Sequence, residues 1–202
     1  YTDYRTPWIL SKPTKITVKN GSGVIAGRKW MVYNSVTGNI ETEEICKSDT
    51  PSTGCASPNS GQNVITSYQY DPTYKTLSQV TDPRGYATTF TYDSTKTFVY
   101  ETTNSLGHKT TSEYDPSTGN LKKLIPPHLQ STSYWLQTQY DVFGRKTLER
   151  LKDNPDPNTN PIVDRGSTSY LYNNFYNASA QNIEKVDHIV VEGDPTRTLD
   201  QH

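Results

Sequence analysis

Asp82-Pro83-Arg84-Gly85-Tyr86-Ala87-Thr88-Thr89-Phe90-Thr91-Tyr92-Asp93 is the stretch on which the fold turns. If residues 86–92 are extended, Tyr86, Thr88, Phe90 and Tyr92 share one face and Ala87, Thr89 and Thr91 share the other. Strict alternation of this kind predicts a strand with one covered face. Val64, Thr66, Tyr68 and Tyr70 repeat the pattern, and so do Tyr134, Leu136, Thr138 and Tyr140. In each case a tyrosine closes the strand and points to the covered side.

Tyr-Asp itself recurs. Tyr70-Asp71, Tyr92-Asp93, Tyr114-Asp115 and Tyr140-Asp141 are separated by 22, 22 and 26 residues, with Tyr33-Asn34 and Tyr172-Asn173 as weaker copies. A period in the low twenties implies one small structural unit used repeatedly. The Asp opens a turn, because its carboxylate can accept from backbone N–H groups two residues on. Gly119 and Gly144 follow at the positions where a bulged hairpin turn needs φ > 0. A second turn falls halfway through the unit, at Asp82-Pro83-Arg84-Gly85 and at Asn104-Ser105-Leu106-Gly107. Each unit therefore reads turn, strand, turn, strand, which is one β-hairpin. The predicted class is all-β, a curved ribbon of successive antiparallel hairpins.

The rhythm divides the chain into degenerate repeats with a cysteine-containing loop (1–62), the best repeats (63–151), a Pro/Asn-rich loop (152–167) and a further degenerate repeat (168–202). Pro126-Pro127 stands where a mid-unit turn is due and accounts for the four extra residues there. Ile189-Val190-Val191 is the clearest apolar segment of the last stretch. Cys46 and Cys55 are the chain's two cysteines. They either form a disulfide across a turn-rich loop of about ten residues or remain two thiols. A disulfide would favour an exported protein.

Composition narrows the function classes. A net charge of -1 and a sequence pI near 6.5 supply no basic face for nucleic acid. No stretch of 18 apolar residues is present to span a membrane. The chain has 15 tyrosines and a near-neutral charge, which argue against disorder. It starts in mid-pattern at Tyr1, which suggests a piece of something longer.

The unit from Tyr70-Asp71 through Val80-Thr81-Asp82-Pro83-Arg84-Gly85 to Tyr92-Asp93 resembles the YD-repeat of the RHS family. Tyr140-Asp141-Val142-Phe143-Gly144-Arg145 is similar to the other half of that consensus, Tyr-Asp-x-x-Gly-Arg. The family includes bacterial Rhs polymorphic toxins, the B and C components of Tc toxins, wall-associated proteins and teneurins. The resemblance implies a ribbon of hairpins spiralling into a hollow shell that encloses a C-terminal toxic domain. The implied partners are the remainder of that shell and the enclosed domain, and the implied location is secreted or cell-surface. The family's self-cleavage signature, Asp-Pro-x-Gly, matches Asp82–Gly85 in letters, but that segment lies amid regular repeats and reads as a turn.

No catalytic constellation stands out. His108, His128, His188 and His202 are scattered, and no His-Glu-x-x-His, Gly-x-Ser-x-Gly or phosphate loop occurs. Asp153, Asp156 and Asp164 with Asn154, Asn158 and Asn160 hint at calcium, but prolines break the ligand alternation and no bidentate Glu follows. No enzyme, metal or cofactor is expected. Asn20-Gly21-Ser22 and Asn177-Ala178-Ser179 match the glycosylation acceptor pattern, which applies in a eukaryotic secretory pathway.

Two readings of function follow. The first is a structural wall in which Tyr70, Tyr92, Tyr114 and Tyr140, with Asp71, Asp93, Asp115, Asp141 and the turn glycines Gly85, Gly107, Gly119 and Gly144, form a ladder. The second is an adhesin-like surface that meets carbohydrate or a host protein through tyrosines and Trp8, Trp30 or Trp135, with Trp135 the chosen ligand contact. Open strand edges at the ends of such a ribbon also favour self-association.

Overall fold

The computed structural model describes residues 2–4, 9–46, 63–153, 163–173, 181–190 and 198–201. Its strands are β1 (Thr2–Tyr4), β2 (Ile9–Lys12), β3 (Lys15–Lys19), β4 (Ile25–Tyr33), β5 (Ile40–Cys46), β6 (Asn63–Tyr70), β7 (Leu77–Thr81), β8 (Ala87–Tyr92), β9 (Val99–Thr103), β10 (Lys109–Tyr114), β11 (Leu121–Ile125), β12 (Tyr134–Tyr140), β13 (Lys146–Asp153), β14 (Val163–Asn173), β15 (Asn182–Val190) and β16 (Thr198–Gln201). One 3-10 turn, Pro127–Leu129, interrupts them.

β1 and β2 form a hairpin of their own. From β3 to β16 the strand order is the chain order, with no crossover. This is the all-β succession of hairpins that the alternation predicts. The chain divides into two compact units, Tyr1–Phe90 with Asn104–Leu106, and Thr91–Thr103 with Gly107–His202.

In the first unit, Trp30 and Met31 are neighbours on β4 and so point to opposite faces, yet only 4% and 6% of their surfaces are exposed. Both faces are therefore covered here, where the alternation elsewhere implies one. Trp30 lies opposite Glu44, and Met31 opposite Glu43. Glu44 is wholly buried and accepts a bond from Asn63 Nδ2 at 3.0 Å, as a buried polar group requires. On the other face Glu43 meets Lys29 Nζ at 2.5 Å and the Tyr68 hydroxyl at 2.9 Å. Lys29 holds the Glu43 carboxyl below the usual range; burial opposes this and Tyr68 assists. Burial, and then the bond to Glu43, push Tyr68 up to about 12.

On β8, Thr88, Phe90 and Tyr92 are half-buried while Thr89 and Thr91 are exposed. Tyr86 departs from the sequence reading. It is 54% exposed and belongs to the turn, because strand pairing starts at Ala87 opposite Thr81 and the Tyr86 carbonyl already accepts from Asp82 N–H. The Arg84 guanidinium covers its ring instead, 5.1 Å from the centroid.

In the second unit, Tyr134, Leu136, Thr138 and Tyr140 share the covered face and Gln139 is exposed. The Pro126–Ser133 detour acts as a clip on buried polar groups. Gln130 Nε2 donates to Thr111 Oγ1 at 3.2 Å and to the Ile125 carbonyl at 2.8 Å. Ser133 Oγ donates to Asp153 Oδ1 at 2.5 Å, and Asp153 is only 2% exposed. Strand structure extends into both ends of the stretch read from sequence as a loop, since β13 runs to Asp153 and β14 begins at Val163. Ile189 and Val190 end β15. Trp8, residues 47–62 with Cys55, residues 154–162, Asn177-Ala178-Ser179 and Val191 lie outside the described residues.

Candidate functional site

The site with the most internal regularity is the row of Tyr-Asp corners. Each corner is built on one side chain that accepts backbone N–H bonds around a tight loop. Asp71 Oδ1 accepts from Thr73 and Tyr74, both at 2.8 Å. Asp115 Oδ1 accepts from Ser117 at 2.9 Å and Thr118 at 3.2 Å. Asn34 Oδ1 accepts from Val36 at 3.0 Å and Thr37 at 2.9 Å. Asp141 Oδ1 accepts from Phe143 and Arg145, both at 2.9 Å. Asp93 Oδ1 accepts from Thr97 at 2.9 Å and Phe98 at 3.1 Å.

Two loop lengths result. In the longer loop the left-handed residue sits four after the Asx, as Gly38, Lys75 and Gly119 do with φ of 71°, 60° and 74°. In the shorter loop it sits three after, as at Gly144 (φ 78°) and, in the mid-unit turns, Gly85 (φ 87°) and Gly107 (φ 78°). Lys96 takes the third position after Asp93 with φ 59°, although that loop closes at Phe98, five residues on, as the longer loops do. Lys75 and Lys96 thus occupy a region that costs an L-residue about 1–2 kcal/mol. No turn motif marks them in the sequence.

At Tyr33, Tyr70, Tyr114 and Tyr140 the tyrosine that closes the hairpin marks a break in register, whereas Tyr172 pairs with Ile183 in unbroken register. Val32 pairs with Thr42 but Tyr33 with Ile40, and Gln69 pairs with Gln79 but Tyr70 with Leu77. Glu113 and Tyr114 skip Lys122 in the same way, and Gln139 and Tyr140 skip Thr147. One extra residue on the returning strand is a β-bulge, which sharpens the local twist.

The corners also set the local electrostatics. The Ser117 hydroxyl and N–H hold Asp115 below the usual carboxylate range, with Thr118 N–H and Lys122 adding to the effect. For Asp93 the leading cause is the Thr95 hydroxyl, backed by the Phe98 and Thr97 amides against burial. Burial acts to raise Asp141, but the Arg145 amide and guanidinium and the Phe143 amide outweigh it and leave it low. In the mid-unit turn the Tyr86 amide does most to lower Asp82. The carboxylate of the Asp82–Gly85 signature is thus committed to its own turn, bonded to the amides of Arg84 and Tyr86.

Within each compact unit, neighbouring corners approach one another through the residue that ends the earlier loop. Asn39 ends the Asn34 loop, and its Nδ2 donates to the Lys75 carbonyl in the Asp71 loop at 3.3 Å. Phe98 ends the Asp93 loop and stacks on Tyr114, with centroids 5.2 Å apart and planes at 17°. A Cβ on Gly119, in the following loop, would lie 3.6 Å from the same ring. Asn120 ends the Asp115 loop and lies 3.9 Å from where a Cβ on Gly144 would be. Arg145 ends the Asp141 loop, pairs with Asp141 at 2.6 Å and lies 4.5 Å from the Tyr172 ring centroid. The Tyr172 hydroxyl in turn donates to the Lys146 carbonyl at 2.9 Å. The rungs therefore run from a loop-ending side chain to the next corner. The Tyr-Asp period does not mark these loop-ending residues: Asn39, Phe98 and Asn120 stand five after the Asx and Arg145 four after, and that offset is the signal that would have found them.

The remaining candidates lie away from this row. Trp30 is buried in the first unit, so it offers no platform to a sugar. Trp135 is half-buried under the Lys123 ammonium, 5.2 Å from its ring, and Lys123 also pairs with Glu113 at 3.0 Å. Cys46 is disulfide-bonded. Among the described residues no group of three or more His, Cys, Asp or Glu is placed to hold a metal ion. No described helix is long and apolar enough to cross a membrane.

No family model and no curated protein matches the chain. Solved structures do match over most of its length. A crystal structure of TcdB2-TccC3-Cdc42 matches at 12% identity and a TM-score of 0.49, covering 97% of this chain and 11% of that one. The Tc holotoxin pore of Photorhabdus luminescens matches at 13% identity and a TM-score of 0.48, covering 90% and 10%. A crystal structure of TcdB2-TccC3 matches at 14% identity and a TM-score of 0.34, covering 87% and 12%. The chain thus spans about a tenth of the chains it matches.

Proposed function

We propose that this chain is a structural segment of the β-shell of an exported bacterial RHS/Tc-like toxin protein. Its work is to build wall, and its partners are the rest of that shell and the domain the shell encloses. The observation that carries this reading is the repeated corner contact: Asn39 to Lys75, Phe98 to Tyr114 and Arg145 to Tyr172. Within each unit a loop is met by the one after it, so the construction extends by adding hairpins. Repeats of this kind draw their stability from nearest neighbours. One oxygen of each corner carboxylate is taken by backbone amides of its own loop. A disulfide at Cys46 fits an oxidising compartment outside the cytosol.

The adhesin reading loses support at its own residues, because Trp30 is buried and Lys123 stands over Trp135. The shell reading is tested by electron microscopy of the protein carrying its native flanking sequence. A hollow shell is the expected result. A solid globule, or a fibre with no enclosed space, overturns it.

A further inference from the structure

We propose that the outer edge of β3 is a docking strand for an extended acidic segment of another polypeptide, added antiparallel. β3 reads Lys15-Ile16-Thr17-Val18-Lys19, pairs with β4 on one side and, among the described residues, ends the strand order on the other. All five of its residues are exposed. Such an edge presents a row of main-chain donors and acceptors that another strand can complete.

The side chains determine which strand fits. Lys15, Thr17 and Lys19 alternate with Ile16 and Val18, which are 45% and 57% exposed. When two copies of β3 pair antiparallel about Thr17, Lys15 of each falls opposite Lys19 of the other. Like charges directly opposite destabilise a pair, and edge lysines commonly guard against self-pairing. The self-association that open edges favour is therefore opposed at this edge. The same register becomes favourable when the incoming strand carries Asp or Glu opposite the two lysines and apolar or β-branched residues opposite Ile16 and Val18. The partner chemistry is thus an acidic–apolar–neutral–apolar–acidic strand.

The test reverses the gate. A Lys15→Glu/Lys19→Glu variant of the full chain, shown by circular dichroism to be folded, is mixed with an equal amount of wild type at low salt. Sedimentation velocity is expected to show a two-chain species in the mixture, more than tenfold tighter than any association of either protein alone. It should dissociate in about 1 M salt, where the screening length is about 3 Å. A control variant, Lys122→Glu/Lys185→Glu, makes the same charge change away from the edge and should not associate with wild type. No association in the first mixture, equal association with the control, or a wild-type dimer with its β3 amides protected from exchange would overturn the proposal.

Discussion

Phe98 and Tyr114 lie face to face, 5.2 Å apart and 17° from parallel, although one ends a loop and the other closes the next hairpin. Replacing either by Ala should lower unfolding free energy by about 2–3 kcal/mol, towards the low end for an aromatic because both are half-buried. The double variant should lose about 1 kcal/mol less than the sum, as stacked rings do. Urea titrations of the four proteins measure this. Simple additivity would mean that the stack contributes nothing beyond burial.

Lys75 and Lys96 hold φ near 60°, where Gly38, Gly119 and Gly144 stand in equivalent loops. Lys75→Gly and Lys96→Gly should each raise stability by about 0.5–1 kcal/mol, strain relieved outweighing backbone entropy gained by the unfolded chain. Gly144→Val should cost more than Gly21→Val, since Gly144 has φ +78° and Gly21 has open space around it without a positive φ. Thermal melts rank the four. Destabilisation by both lysine replacements would contradict the turn geometry.

Acid should loosen the corners. Asp93, Asp115 and Asp141 are lowered in the fold, so their stabilising contribution is complete above the unfolded value near 4 and is lost as pH falls through the folded values. Melting temperature should stay level above about pH 5 and fall below about pH 4. Asn already fills the accepting role at Asn34 and Asn20. An Asp93→Asn/Asp115→Asn variant should therefore fold and show a shallower acid limb. An unchanged limb would place the acid sensitivity elsewhere.

The bond at Cys46 should contribute about 2–3 kcal/mol if it closes the short loop to Cys55. Reduction, or Cys46→Ser with Cys55→Ser, should lower the urea midpoint accordingly. An unaltered midpoint would show that the loop is not constrained in the unfolded chain.

Much of this fold is legible in the chain because strand alternation and Asx-Gly turns are local. Thr88, Phe90 and Tyr92 turn inward as the pattern requires, and the hairpin order follows the Tyr-Asp period. What is hidden is non-local or strained. Lys75 and Lys96 carry no turn signature, yet their neighbours hold them left-handed. Glu44 reads as a solvent residue but lies buried beside Asn63. Tyr86 has the right parity for a covered face, but the mid-unit turn ends only after it. The rungs from Phe98 and Arg145 depend on which loop lies next, a fact of stacking that no period of two can express.

If each 22-residue unit is one hairpin interchangeable with its neighbours, whole units can be excised and fractions of one cannot. Deleting residues 93–114 joins Tyr92 to Asp115 and keeps every remaining corner on the same strand end, whereas deleting residues 93–103 removes β9 alone and moves all later corners to the opposite end. Circular dichroism melts of the two deletions should show a cooperative all-β transition for the 22-residue excision and a lower, broader one for the 11-residue excision. If both melt alike, or the longer excision is the one that fails to fold, the stacked-corner account is contradicted.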